Sequence, residues 1–277
     1  ITIKMIRYFS SNFSHLILLI GIFIMIIPVW LIFASSTHTA SIINTQGLQF
    51  FLGDKFLENY TKVLLYEGGF FKEITALKMF LNSFLMATGV AFLSVISSLM
   101  TAYVLVYFRV KYATLLFWII FITILVPLEL RIFPTYSVMS TLNLVNSYWG
   151  LIIPISASAI ATLFFRQFYK TIPDELLESA KLDGANTWRF FIDFLVPLSK
   201  TMIVAMFIFM FVFGYNQYLW PILVTSSEQY WTVVMGLKMM SGSIVNKFAF
   251  VIMSMIPPVL IIIVLQKYFI KGIFQDK

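Results

Sequence analysis

Few residues in this chain carry the means to do chemistry, and they fall in two places. Glu129 and Arg131 stand two positions apart between Pro127 and Pro134. In a helix, positions i and i+2 point about 200° apart, so the two do not pair unless Pro127 loosens the turn. Arg131 offers a planar fork of donors that suits a phosphate or carboxylate ligand. The competing reading is that it reaches lipid phosphates or an acidic group on a neighbouring subunit. The second place is Tyr215, Asn216, Gln217, Tyr218 and Trp220, just before Pro221. It reads either as a polar lining or as an aromatic belt beside a kink, and buried amides in lipid need partners in both cases.

Other chemistry is missing by residue type. None of the 12 glycines precedes Lys-Ser or Lys-Thr, so there is no phosphate-cradling Walker loop, and any ATP must be bound by another chain. The chain has no cysteine, and its two histidines, His15 and His38, are too few for a metal centre. No nucleophile elbow or His-Glu-x-x-His pattern occurs. The expectation is a protein that is not an enzyme, with no cofactor of its own.

The elements that hold these residues are set by composition. Hydrophobic residues make up 60% and charged residues 11%, against about 25% charged in soluble domains. Mean hydropathy is +0.93, which places the chain in lipid and excludes disorder. Its net charge of +7 follows topology and gathers in no single patch, so nucleic acid is not a partner. Six runs approach the ~20 apolar residues a span requires, at 15–35, 82–106, 113–133, 147–169, 201–224 and 248–270. The first has Lys4 and Arg7 ahead of it. Its apolar run from Leu16 to Phe33 exceeds the ~7–15 residues of a signal-peptide core, so it is expected to be an uncleaved helix. At about 1.5 Å per residue, Ala113 to Leu128 covers about 24 Å and puts Glu129 and Arg131 near the outer interface.

With six spans, twelve of the nineteen Lys and Arg fall on one side. Lys4, Arg7, Arg109, Lys111, Lys267, Lys271 and Lys277 are among them. Four of the remaining seven, Lys55, Lys62, Lys72 and Lys78, occupy the long first loop. Both termini are therefore expected in the cytoplasm. That outer loop, residues 36–81, carries Phe50, Phe51, Phe56, Tyr60, Tyr66, Phe70 and Phe71, and is expected to fold over the bundle or lie at the interface.

The inner loop, 170–200, specifies a short helix with a hard stop. Thr171 is placed to cap, Pro173 fits the first turn, and Asp174 and Glu175 complement the positive end of the dipole. Ile172, Leu176, Leu177 and Ala180 share one face, with Asp174, Glu178 and Lys181 opposite. Gly184 is placed to end the helix. A second start at Asn186 and Thr187 leads to Leu195, and Pro197 breaks that segment before the fifth span.

Glu178-Ser179-Ala180, Gly184 six residues after Glu178, and Pro197 thirteen after Gly184 resemble the EAA loop in the membrane subunits of ABC importers. The loop departs from that pattern at Ser179, Phe194 and Val196. The runs "VPLELRIFPTY" (126–136), "NSYWGLIIP" (146–154), "FFRQFYKTIPDELLESAKLDGA" (164–185) and "YNQYLWPILV" (215–224) resemble the carbohydrate-uptake, MalG-like branch. "ELRIFPT" and "RFFIDFLVPLSK" are most similar to the UgpE-type permeases of sn-glycerol-3-phosphate importers. The resemblance implies an all-α, six-span type I importer permease in the cytoplasmic (inner) membrane. It implies a second, UgpA-type permease, an ATPase subunit dimer that uses ATP and Mg, and an extracytoplasmic binding protein as partners. Glu178, Ser179, Ala180, Asp183, Gly184, Ala185 and Pro197 are then the residues that couple to the ATPase. Glu129, Arg131, Tyr215, Asn216, Gln217 and Trp220 are the candidate substrate pathway.

Other readings remain at this point. A neutral-sugar importer of the maltose type would leave Arg131 without an anionic ligand. An ion-coupled secondary transporter would call for inverted repeats and midplane charges, and a membrane assembly protein could use the inner loop for docking.

Overall fold

Every regular element among the described residues is helical, because in lipid a helix satisfies its own backbone groups. The computed structural model describes residues 2–65, 74–240 and 242–274. Tyr66, Phe70, Phe71, Lys72 and Lys277 lie outside the described residues, as do the side chains of Lys4, Arg7, Lys267 and Lys271. In chain order the helices are α1 (Thr2–Ser36), α2 (Ala40–Gln46), α3 (Phe56–Leu65), α4 (Ala76–Tyr107), α5 (Ala113–Ile122), α6 (Leu128–Thr141), α7 (Tyr148–Ile152), α8 (Ala159–Tyr169), α9 (Asp174–Leu182), α10 (Thr187–Arg189), α11 (Val196–Leu198), α12 (Lys200–Tyr215), α13 (Leu219–Val224), α14 (Val233–Met239) and α15 (Ile244–Phe274).

Three helical stretches are long and apolar enough to cross a membrane unaided: Phe13–Ser36, Ala76–Tyr107 and Ile244–Gln266. Three further candidates are bent pairs, so the expected run 113–133 is not one straight helix. Ala113–Leu125 and Glu129–Thr141 meet at 105°, and Tyr148–Ile155 and Ala159–Tyr169 at 49°. Each break lies at or just after a proline, Pro127 and Pro154, which supplies no N–H to the helical ladder. The third bend, 74° between Thr187–Leu198 and Lys200–Tyr215, falls at Ser199. Pro197 therefore sits inside the last helical turn before the elbow and does not mark the break itself. The six residues Phe190–Leu195 ahead of it widen into a π turn, which accommodates a proline that cannot bond back to Asp193. The expected run 201–224 is α12 and α13, interrupted at residues 216–218.

The chain divides into two units, residues 1–77 with 237–255 and residues 78–236 with 256–277. In the first unit, the described part of the outer loop is folded against the end of α1. Asn59 donates from Nδ2 to the carbonyls of Ser36 and His38, both at 2.8 Å, and Lys55 N donates to Thr37 O at 2.8 Å. Gly53 allows the loop to approach this closely, since a Cβ there would collide with the Thr37 carbonyl. Trp30 donates to Phe50 O at 2.9 Å, and Phe56 packs against Tyr60 with the rings tilted and 4.4 Å between centroids. Burial pushes the Tyr60 phenol pKa up, while its Ser36 contact pulls the other way. α1 is apolar and exposed on all sides between Phe13 and Ile27, the pattern of a helix facing lipid or another apolar surface.

In the second unit α4 is the central post. Ser94 donates to Ser156 O at 2.6 Å and Ser98 to Ser158 O at 3.1 Å, so α4 satisfies two carbonyls near the break before α8. Asn82, fully buried, donates to Gln229 O and Trp231 O and accepts from Tyr148 OH at 2.8 Å. Small residues set the spacing of α4 and α12: a Cβ on Gly214 would lie 3.1 Å from Ala87 Cα. Gly214→Val is expected to force the two helices apart and cost about 1–3 kcal/mol, read as a lower unfolding midpoint of the purified protein in detergent.

Candidate functional site

The 170–200 loop builds its helix from local rules, with one difference from expectation. Thr171 turns its hydroxyl back to Phe168 O at 2.7 Å, so it does not cap. Pro173, in extended geometry (φ −62°, ψ 141°), is the N-cap residue, and α9 begins at Asp174. The stop at Gly184 is as expected, with φ +75°. Gly184 N bonds to Lys181 O at 3.0 Å and Ala185 N to Ala180 O at 2.9 Å, which together form a Schellman exit. Asn186 then caps the next turn, its Oδ1 accepting from Arg189 N at 2.8 Å.

What the helix packs on was not evident from its own residues. Ala180 is buried in one cluster with Leu99 and Tyr103 of α4, Phe165 and Tyr169 of α8, and Phe190, Phe191 and Leu195 of the π turn. Ile172, Leu176 and Leu177 are half-buried against it. Tyr103 stacks on Phe191 at 4.9 Å and donates to Thr187 O at 2.7 Å. Glu178, Ser179, Asp183 and Gly184 are exposed, and Leu182 is 88% exposed. The loop thus presents a free polar face with one bare leucine and is fixed from behind to α4 and α8. The aromatic pairs 103/107 and 165/169, each four residues apart on one helix face, were the available signal for this seat.

The second feature is a cavity of about 250 Å³ formed where two helix breaks face α12. Thr123, Val126 and Pro127 supply one side, Ala157 to Ile160 at the start of α8 another, and Phe209, Met210 and Phe213 a third. Arg131 is the charged residue in this lining. Ser158 caps α8, its hydroxyl accepting from Ala161 N at 3.1 Å, so the positive end of the α8 dipole adds to the field of Arg131. Neither Glu129 nor Arg131 makes an ion pair among the described residues, and Glu129 lies in the first turn of α6, where a carboxylate complements the dipole.

The structure separates the second cluster from this cavity. Tyr215 is 3% exposed, with no hydrogen-bond partner for its hydroxyl among the described residues. Asn216 is exposed and ends α12, and Gln217 donates back to Phe213 O at 3.2 Å. Trp220 is 1% exposed and donates to Gly150 O at 3.0 Å. None of the four lines the Arg131 cavity. Ser158, Phe209, Met210 and Phe213 do, and nothing in their own segments distinguished them from ordinary span residues. Towards the other end of α8, Arg166 lies over the Phe117 ring of α5 at 3.9 Å from its centroid, a cation–π tie between α5 and α8.

Comparison with known proteins bears on this arrangement. The sn-glycerol-3-phosphate transport system permease protein UgpE of Yersinia pestis bv. Antiqua is 40% identical over 272 residues, 96% of each chain. Its namesake in Brucella melitensis biotype 1 is 39% identical over 279 residues, 98% of each. A chain in the crystal structure of a bacterial ABC transporter involved in the import of the acidic polysaccharide alginate superposes with a TM-score of 0.79. That match covers 95% of this chain and 97% of the other at 22% identity, which shows the shared fold. Residues 94–275, which include the whole 170–200 loop and the Arg131 cavity, match the model for inner membrane components of binding-protein-dependent transport systems. The chain belongs to that family of inner membrane transport components.

Proposed function

We propose that this chain is the permease half of an ATP-driven importer of sn-glycerol-3-phosphate. The observation that carries the proposal is identity of about two residues in five, over nearly the whole length, to permeases named for that substrate. Arg131 supports it, because a cationic cavity with mostly apolar walls suits a small phosphate monoester better than a neutral sugar. At about 250 Å³ the cavity falls just below the usual ~300–1,000 Å³ of small-molecule sites. This fits a pathway completed by a second, UgpA-type permease.

In this reading the spans number six, both termini are cytoplasmic, and an external binding protein delivers the substrate. The chain breaks no bond. ATP and Mg act on a dimer of ATPase subunits, and α9 is the coupling helix that sits on one of them. Glu178, Ser179 and Asp183 face that subunit, Gly184 and Ala185 hold the helix end, and Pro197 shapes the elbow into α12. Ala180 anchors α9 to α4 and α8, so a push on α9 reaches both helices as a rigid unit. α8 runs from that seat to the Arg131 cavity, which makes it the direct link between ATPase closure and the pathway.

The test is uptake of labelled sn-glycerol-3-phosphate into proteoliposomes holding this chain and its co-purified partners, with binding protein outside. Uptake is expected only with internal ATP. Import of a neutral sugar by the same preparation, without uptake of the phosphate ester, would overturn the substrate and keep the architecture.

A further inference from the structure

We propose that a second cavity, between the end of α4 and the inner rim of α9, binds the headgroup of an anionic phospholipid. It measures about 390 Å³. Tyr103, Tyr107 and Phe190 give it an aromatic wall, and its charged lining consists of Arg109 and Lys181. Both cations are exposed, and neither makes an ion pair among the described residues. The neighbouring Arg189 is held by Asp193 at 3.2 Å, and Asp174, which acts electrostatically on Tyr107, is not in the lining. The Asn186 side-chain oxygen is engaged in capping, so its amide N–H groups are what it offers to a ligand. Two unpaired cations, amide donors and an aromatic wall define a site for a phosphate ester with an apolar body.

The position selects the source. Tyr107 is the last residue of α4, a membrane-length helix, and Arg109 follows two residues later. Aromatic rings with Lys and Arg at the end of a span are the composition of a headgroup layer. The cavity is lined by Leu177 and Ala180, the half-buried and buried side of α9, and not by the exposed Glu178, Ser179 or Leu182. An ATPase on the outer face of α9 would leave it open from the flank, where lipid lies. A bound headgroup would join Arg109 to Lys181 and hold α9 against α4. This inference rests on the proposed coupling role of α9 for its consequence, but binding itself does not.

Thr187 lines the same cavity, and the chain has no native cysteine, so Thr187→Cys places a single thiol of this chain there. The rate of maleimide labelling is measured on the complete transporter in nanodiscs of phosphatidylcholine, with and without phosphatidylglycerol. Roughly tenfold slower labelling is expected with phosphatidylglycerol, and the slowing is expected to vanish when Arg109→Gln and Lys181→Gln are added. Arg109→Gln alone, outside α9, is expected to weaken it. Equal slowing by inorganic phosphate in neutral discs would overturn the lipid source. Equal slowing in the doubly substituted protein would overturn the site. Protection that follows the ATPase subunits whatever the lipid would assign the cavity to the ATPase. Because the readout is independent of transport, failure of the transport reading leaves this result interpretable.

Discussion

Gly184→Val is expected to cut ATP-dependent uptake by the reconstituted transporter at least about tenfold, whereas Gly184→Asn retains most of it. Gly184 holds φ +75°, and a Cβ built there meets nothing within 4 Å. The penalty is therefore one of backbone conformation and not of space. A non-glycine residue in the left-handed region costs about 1–2 kcal/mol, more when branched at Cβ and less for asparagine. That is small against a whole bundle but large for α9, which has only nine residues and ends on the two Schellman bonds that Gly184 permits. Loss of those bonds frees the exposed end, Leu182 and Asp183, while Ala180 stays seated. Uptake is expected to fall at least about tenfold, the ratio that 1.4 kcal/mol produces, with normal amounts of protein in the membrane by immunoblot. Glu178→Lys, which reverses an exposed charge without touching the buried seat, is expected to lose transport by a different route, through the partner face. Parent-level uptake by the valine variant would remove α9 from the coupling path.

Arg131→Ala carries the other large expected effect. If the guanidinium meets a phosphate ester, its removal costs about 1.5–3 kcal/mol of charge-assisted hydrogen bonding, or roughly 10- to 100-fold in uptake. Arg131→Lys keeps the charge without the fork and is expected to fall between the two. The side chain is exposed and unpaired among the described residues, so its loss leaves no buried partner unsatisfied and folding is expected to be normal. Uptake of sn-glycerol-3-phosphate that is unchanged in Arg131→Ala would leave Arg131 as a lipid-facing or subunit-facing cation.

The two sites differ in how much of them could be read along the chain. The exit of α9 needs only a glycine at one position and carbonyls within five residues of it, so Gly184 and the polar face of Glu178 followed from local rules. The start was misread for an equally local reason: Pro173 takes the extended N-cap geometry just before Asp174, and the Thr171 hydroxyl is taken up by Phe168 O. Pro197 was placed correctly but not its effect, because the π turn moves the bend to Ser199.

Composition and hydrophobic run length determined that the chain is helical and lives in a membrane, since burial in lipid acts on every residue of a span and leaves a continuous apolar run. Spacing in residues 171–197 determined the short amphipathic helix and its stop, since capping and left-handed geometry act over one turn. Only the tertiary structure decided that Ala180 seats against Tyr103 and Phe165, or that Arg131 shares a cavity with Ser158 and Phe213 while Trp220 turns away to Gly150. Those contacts join helices tens of residues apart in a chain where lipid-facing and core-facing surfaces are almost equally apolar. Hydropathy cannot tell them apart, and packing of small residues and satisfaction of stray carbonyls at the helix breaks does.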